Sequence, residues 1–134
     1  MLIRPVVLGA KVIAAASSTK KLEVAKRYGA DYLVDYSKPG WQKEVSKITG
    51  GKGVDVIFDP VGMIKGMLSH DIDQSHLSLP DCLKCIAWKG RALVIGFAGG
   101  PIENLPMNLV LLKNISVAGL HWGAYRSLNS SVSL

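Results

Sequence analysis

Lys11–Ala16 reads KVIAAA, apolar after its first residue and with no alternation of apolar and polar positions. Such a run fits a strand buried on both faces, and strands of that kind belong to parallel sheets covered by helices. The residues that follow keep to this plan. Ser17, Ser18 and Thr19 can each cap a helix. Lys20–Tyr28 then sets an apolar stripe of Leu22, Ala25 and Tyr28 against Lys20, Glu23, Lys26 and Arg27, and Gly29 stops it. Asp31–Tyr36 (DYLVDY) is the second strand, and Lys38-Pro39-Gly40 turns the chain. Trp41, Val45 and Ile48 stand at i, i+4 and i+7 and define a second helix, ended by Gly50-Gly51-Lys52-Gly53. Val54–Phe58 (VDVIF) is a third strand, closed by Asp59-Pro60.

The alternation resumes further on. Leu83–Lys89 reads as a helix with Leu83, Ile86 and Ala87 on one face and Gly90 at its end. Arg91–Ile95 (RALVI) is a fourth strand. Leu105–Asn114 holds a short helix entered through Pro106, and Ile115–Leu120 (ISVAGL) is a fifth strand. Strands and helices with short connections call for βαβ crossovers, hence an α/β fold with a mostly parallel sheet and flanking helices. One segment breaks the rhythm. Ile64–Asp81 has neither period and reads as a long inserted loop, and Arg126–Leu134, rich in Ser and Asn, as a frayed tail.

Composition narrows the function classes. With 49% hydrophobic and 19% charged residues the 134-residue chain is not disordered. No apolar run reaches the roughly 18 residues of a spanning helix, so no membrane association is expected. Residues 1–53 hold ten of the 16 basic residues against four of the ten acidic ones. These lysines and arginines are spaced as solvated helix faces and turns, with no nucleic-acid-binding motif beside them, so no nucleic-acid partner is expected. Two cysteines make no disulfide framework, and a reducing compartment follows: the cytoplasm, with the mitochondrion as alternative. Arg4, the apolar run Pro5–Ala10 and Ala14–Ala16 imitate a secretory signal, but Lys11 interrupts it and the strand and helix pattern continues directly behind.

Five stretches, taken together and in order, resemble a known family. They are KVIAAASSTKKLEVAKRYGA (11–30), DYLVDY (31–36), GVDVIFDPVG (53–62), LKCIAWKGRALVIGFAGG (83–100) and LVLLKNISVAGLHWGAY (109–125). The chain is similar to the medium-chain dehydrogenase/reductase superfamily in its zinc-free quinone oxidoreductase branch, over most of residues 9–126. That resemblance implies a Rossmann-like doubly wound sheet binding NADP(H) at the strand carboxyl ends, with hydride transfer to a small quinone or enone substrate. It also implies two copies pairing through Ile115–Leu120.

The resemblance implies site residues too. Where an NAD site offers a carboxylate after its second strand, this chain has Ser17-Ser18 with Lys21 a turn later, a set suited to a 2′-phosphate. Tyr36 falls near the adenosine, Val61-Gly62 along the cofactor, and Phe97-Ala98-Gly99 and His121-Trp122 near the nicotinamide. Read without the resemblance, Ser17 and Ser18 are equally a helix cap, Lys21 a solvated lysine, Tyr36 a strand-end packing residue and Phe97 a core residue. No catalytic residue can be assigned, and Asp55 and Asp59 read as turn and surface residues.

Three departures bear on activity. The glycine-rich turn that seats a pyrophosphate does not occur in the sequence, and the family's first strand and its helix have no counterpart ahead of Gly9; residues 1–8 are divergent. The domain that encloses substrate is missing. The segment at 64–81 is longer than the family's connection. The chain therefore reads as an incomplete NADP-binding domain, inactive alone, with a non-catalytic interaction module or a splice or gene-model product as the alternative. His70, His76, Cys82 and Cys85 imitate a zinc set, but Cys85 falls on the family helix as a packing residue, and no metal site is expected.

Overall fold

The computed structural model describes residues 9–62, 79–97, 102, 104–121 and 123–124. Their elements run β1 (Ile13–Ala16), α1 (Thr19–Arg27), β2 (Tyr32–Asp35), α2 (Trp41–Ile48), β3 (Val54–Asp59), α3 (Leu79–Lys84), β4 (Ile86–Val94), α4 (Met107–Leu112) and β5 (Ser116–Gly119). The expected alternation of strand and helix holds, with every paired strand parallel. The strands form two sheets, however: β1 with β2, and β3–β4–β5 in that order. Ile13 pairs with Tyr32 and Ala16 with Asp35 in the first. In the second, Asp59 pairs with Val94 and Val94 with Gly119. The break falls between β1 and β3, where the strand without a counterpart would lie in a 3-2-1-4-5-6 sheet.

Two apolar clusters hold these pieces. Leu79 and Leu83 of α3 pack with Ile86, Ala92 and Ile115, joined by Ile57, Leu109 and Val117. Val34, Tyr36, Trp41 and Val45 form the other, with Ile13 of β1, Val54 of β3 and Cys85 against it. This second cluster spans the break, since it touches strands of both sheets.

Two expectations need correction. The stretch Leu83–Lys89 is not a helix: α3 ends at Lys84 and β4 starts at Ile86. Lys89 adopts a left-handed φ of 61°. The register with β3 slips between Val54↔Ile86 and Val56↔Arg91, a bulge that lets residues 87–90 loop out before regular pairing begins. The inserted loop also ends sooner than Asp81, because Leu79, Pro80 and Asp81 open α3, where Pro is tolerated in the first turn. The rest of that loop and the tail lie outside the described residues. The end of α3 is closed from a distance: Lys113 Nζ donates to the carbonyls of Leu83 (2.8 Å), Lys84 (2.8 Å) and Ile86 (3.1 Å), a cation on the negative end of a helix.

Beyond β2, the Asp35 carboxylate accepts from the Ser37 hydroxyl (2.6 Å) and N–H (3.0 Å), with Lys38 at 3.7 Å. The Ser37 hydroxyl, chiefly, holds the Asp35 carboxyl below its usual range. Because the folded value is depressed, its contribution to stability is present above the ordinary carboxylate range and is lost as pH falls through the folded value. Ser37→Ala is expected to return the Asp35 titration toward its ordinary position in an NMR pH series.

Candidate functional site at the strand carboxyl ends

The expected site residues fall into two groups. The first follows β1 and β2. Ser18 is the N-cap of α1 by position, with extended backbone (φ −149°, ψ 143°), and its carbonyl accepts from Leu22. Its side chain makes no capping bond, and the first turn of α1 holds no acidic residue. The cap reading of its hydroxyl therefore fails, and the hydroxyl is left for another acceptor or donor. Ser17 and Lys21 are exposed and Ser18 half-buried. Tyr36 N–H donates to the Ala16 carbonyl (3.2 Å), which ties the ends of β1 and β2 together. The Tyr36 side chain is buried in the Trp41 cluster.

The second group follows β3, β4 and β5. Ile95 N–H donates to Asp59 (2.8 Å) and Leu120 N–H to Val94 (2.9 Å), so the three strand ends are stitched side by side. Asp59 corrects a further expectation: it is buried, not a surface residue. Its Oδ1 accepts from the N–H of Val61 (3.0 Å) and of Gly62 (3.0 Å). That fixes the loop, an Asx turn legible in the residues Asp-Pro-Val-Gly. Gly62 has φ +67°, and a Cβ there would stand 3.1 Å from Phe97 Cδ1 and 3.4 Å from the Gly96 carbonyl. The glycine thus lets the loop lie directly on Phe97, which is itself half exposed. His121 follows β5 and is exposed. Ala98, Gly99 and Trp122 lie outside the described residues.

No hydrogen bond or ion pair between described residues joins the two groups. They stand on either side of the break. Asp59→Ala is expected to cost about 2 kcal/mol, because two charge-assisted bonds vanish and leave inward-facing N–H groups without an acceptor. Amide exchange at Val61 and Gly62 should quicken together. Asp59→Asn keeps an acceptor oxygen and should lose roughly half as much by chemical denaturation.

The candidate zinc residues are not assembled. His70 and His76 lie outside the described residues, and no group of three or more His, Cys, Asp or Glu among the described residues could hold a metal. Burial pushes the Cys85 thiol up, away from the thiolate that a ligand or redox cysteine needs. Nor is any described helix long and apolar enough to cross a membrane.

Comparison with known proteins agrees with this geometry. The profile of the zinc-binding dehydrogenase family matches residues 6–134. The chain is 43% identical over 126 residues to quinone oxidoreductase-like protein 2 of Bos taurus, covering 94% of this chain and 32% of the relative. The solved structure of 2-haloacrylate reductase superposes with a TM-score of 0.76 at 27% identity, over 95% of this chain and 36% of that one. A mycobacterial protein solved in complex with NADPH superposes at 0.68 and 25% identity, over 92% of this chain and 35% of that one. The chain thus spans about a third of the length of these proteins. With the family profile running through nearly its whole length, the chain belongs to the zinc-binding dehydrogenase family, and what it carries is a Rossmann-like partial domain.

Proposed function

We propose that residues 9–126 are part of the cofactor domain of an NADPH-dependent, zinc-free oxidoreductase of the quinone oxidoreductase type. The observation that carries this reading is the start of α1. A hydroxyl at the N-cap that caps nothing, a first turn without an acid, and an exposed Lys21 together favour a dianionic phosphate and would not favour bare ribose hydroxyls. Ser17, Ser18 and Lys21 would hold the 2′-phosphate, and Tyr36 would close the floor beneath the adenosine. Val61, Gly62, Phe97 and His121, with Ala98, Gly99 and Trp122, would line the path to the nicotinamide. When bound, that ring supplies the hydride that reduces a quinone or an activated alkene. The residues here bind and orient; the substrate enclosure and any proton donor belong to the part of the fold this sequence does not contain.

Calorimetric titration of the chain with NADPH and NADH tests this. NADPH is expected to bind in the micromolar range, at least about tenfold more tightly than NADH. Lys21→Glu should erase that preference without changing the circular dichroism. Equal affinities, or no binding by a folded sample, would overturn the reading. We place the chain in the cytoplasm or the mitochondrion on its two free cysteines. β5 is the outer strand of its sheet, and this favours pairing of two copies along Ser116–Gly119, to be seen by sedimentation as a dimer.

A further inference from the structure

The break between the two sheets is itself a shaped surface. In a parallel ladder each residue sends its N–H and C=O to one neighbour, and successive residues alternate sides. Val12 and Ala16 accept from the β2 side, through Tyr32 (3.1 Å) and Tyr36 (3.2 Å). Alternation then directs the backbone groups of Ile13 and Ala15 away from β2, toward the break. On β3, Asp59 accepts from Ile95 of the β4 segment (2.8 Å), so Ile57 and Asp59 serve β4 while Val56 and Phe58 turn the other way. Among the described residues no strand pairs with either of these edges. One face of the break is covered by the Trp41 cluster, which packs on Ile13 and Val54. The other is bare. Ile57 packs toward α3 and α4, whereas Val56 and Phe58 on the opposite face are 54% and 63% exposed.

We infer that this break is an acceptor slot for one parallel β-strand delivered by a longer chain, together with the helix that follows it. The strand must match edges of four and six residues and be apolar on both faces, since one face meets the Trp41 cluster and the other lies beside Phe58. A strand leading toward β1 by a right-handed crossover brings a helix with it. Val24 and Tyr28 on α1, four residues apart and exposed, extend the apolar surface that Val56 and Phe58 begin. The relatives support this occupant over a second copy of this chain. The matched region is only about a third of each of them, so chain of the required kind exists outside it. A second copy would offer two edges where the slot needs one strand.

The test uses the full chain and peptides of about 30 residues tiling the part of the bovine relative that precedes the matched region, a length that spans a strand and its helix. One peptide is expected to bind and to slow amide exchange at Ile13, Ala15, Val56 and Phe58 by at least about tenfold. Proline within its strand should abolish this. Phe58→Lys, at an exposed position and so without effect on the fold, should weaken binding by at least about tenfold. The inference is overturned if no peptide protects those four amides. Equal binding by Phe58→Lys overturns it too, as does protection that appears without peptide and grows with chain concentration, which would put a second copy in the slot. No readout involves the cofactor, so this result and the NADPH titration fail independently.

Discussion

Gly53→Ala is expected to lower the melting temperature by about 10 °C, a loss of about 3 kcal/mol. Two costs combine at this residue. Its φ is +84°, a left-handed conformation that an L-residue enters only with strain. A Cβ would also stand 2.6 Å from the Cys85 carbonyl oxygen, 2.7 Å from the Ile86 carbonyl carbon and 2.8 Å from the Ala87 nitrogen, all backbone. No side chain can rotate away to relieve this. The bulge at the start of β4 would have to shift, and with it the Val54 N–H bond to Cys85 (2.9 Å). Gly51→Ala is the control. Its φ is +81°, but a Cβ there meets nothing within 4 Å, so only the strain of about 1 kcal/mol should appear. The difference between the two thermal scans measures the close approach alone.

Trp41→Ala is expected to cost about 4 kcal/mol, the usual scale for emptying a buried aromatic site. Trp41 is 6% exposed and belongs to the cluster that touches both sheets. No ladder crosses the break, so that cluster carries much of the connection between β1–β2 and β3–β4–β5. The variant should therefore lose more than stability. Its chemical denaturation should separate into two transitions, with exchange rising first over β1, α1 and β2. Trp88→Ala, at a position 63% exposed, should stay within about 0.5 kcal/mol of the parent and keep one transition. A single, merely shifted transition for Trp41→Ala would show that other contacts bind the halves.

How far the fold was legible depends on how local the deciding contact is. Trp41, Val45 and Ile48 announce α2 by spacing alone, and Trp41 and Val45 are buried as that spacing predicts. KVIAAA announces β1 because unbroken apolar character leaves few other fates. Leu83, Ile86 and Ala87 misled because a short apolar run with those offsets suits a helix and a strand equally. What decided against the helix is the left-handed Lys89 and the bulge around Gly90, both set by neighbours on β3. In the site, Ser18 at the N-cap was legible, but not that its hydroxyl is left uncapped. The burial of Asp59 was missed although the Asp-Pro-Val-Gly turn was in view, since its burial depends on how the β4 loop closes over it. Nothing in the sequence around Lys113 points to α3, because its three acceptors are 27 to 30 residues away.

That last contact has a consequence for how the chain is made. During synthesis α3 emerges well before the lysine that closes its end. Until residue 113 has left the ribosome, the carbonyls of Leu83, Lys84 and Ile86 have only water as partner. At translation rates of about 5–20 residues per second the wait lasts seconds, long compared with helix formation itself. The β3–β4 half therefore cannot reach its final form vectorially, from amino to carboxyl end. It must be completed backwards, by a residue that arrives after the strands it secures.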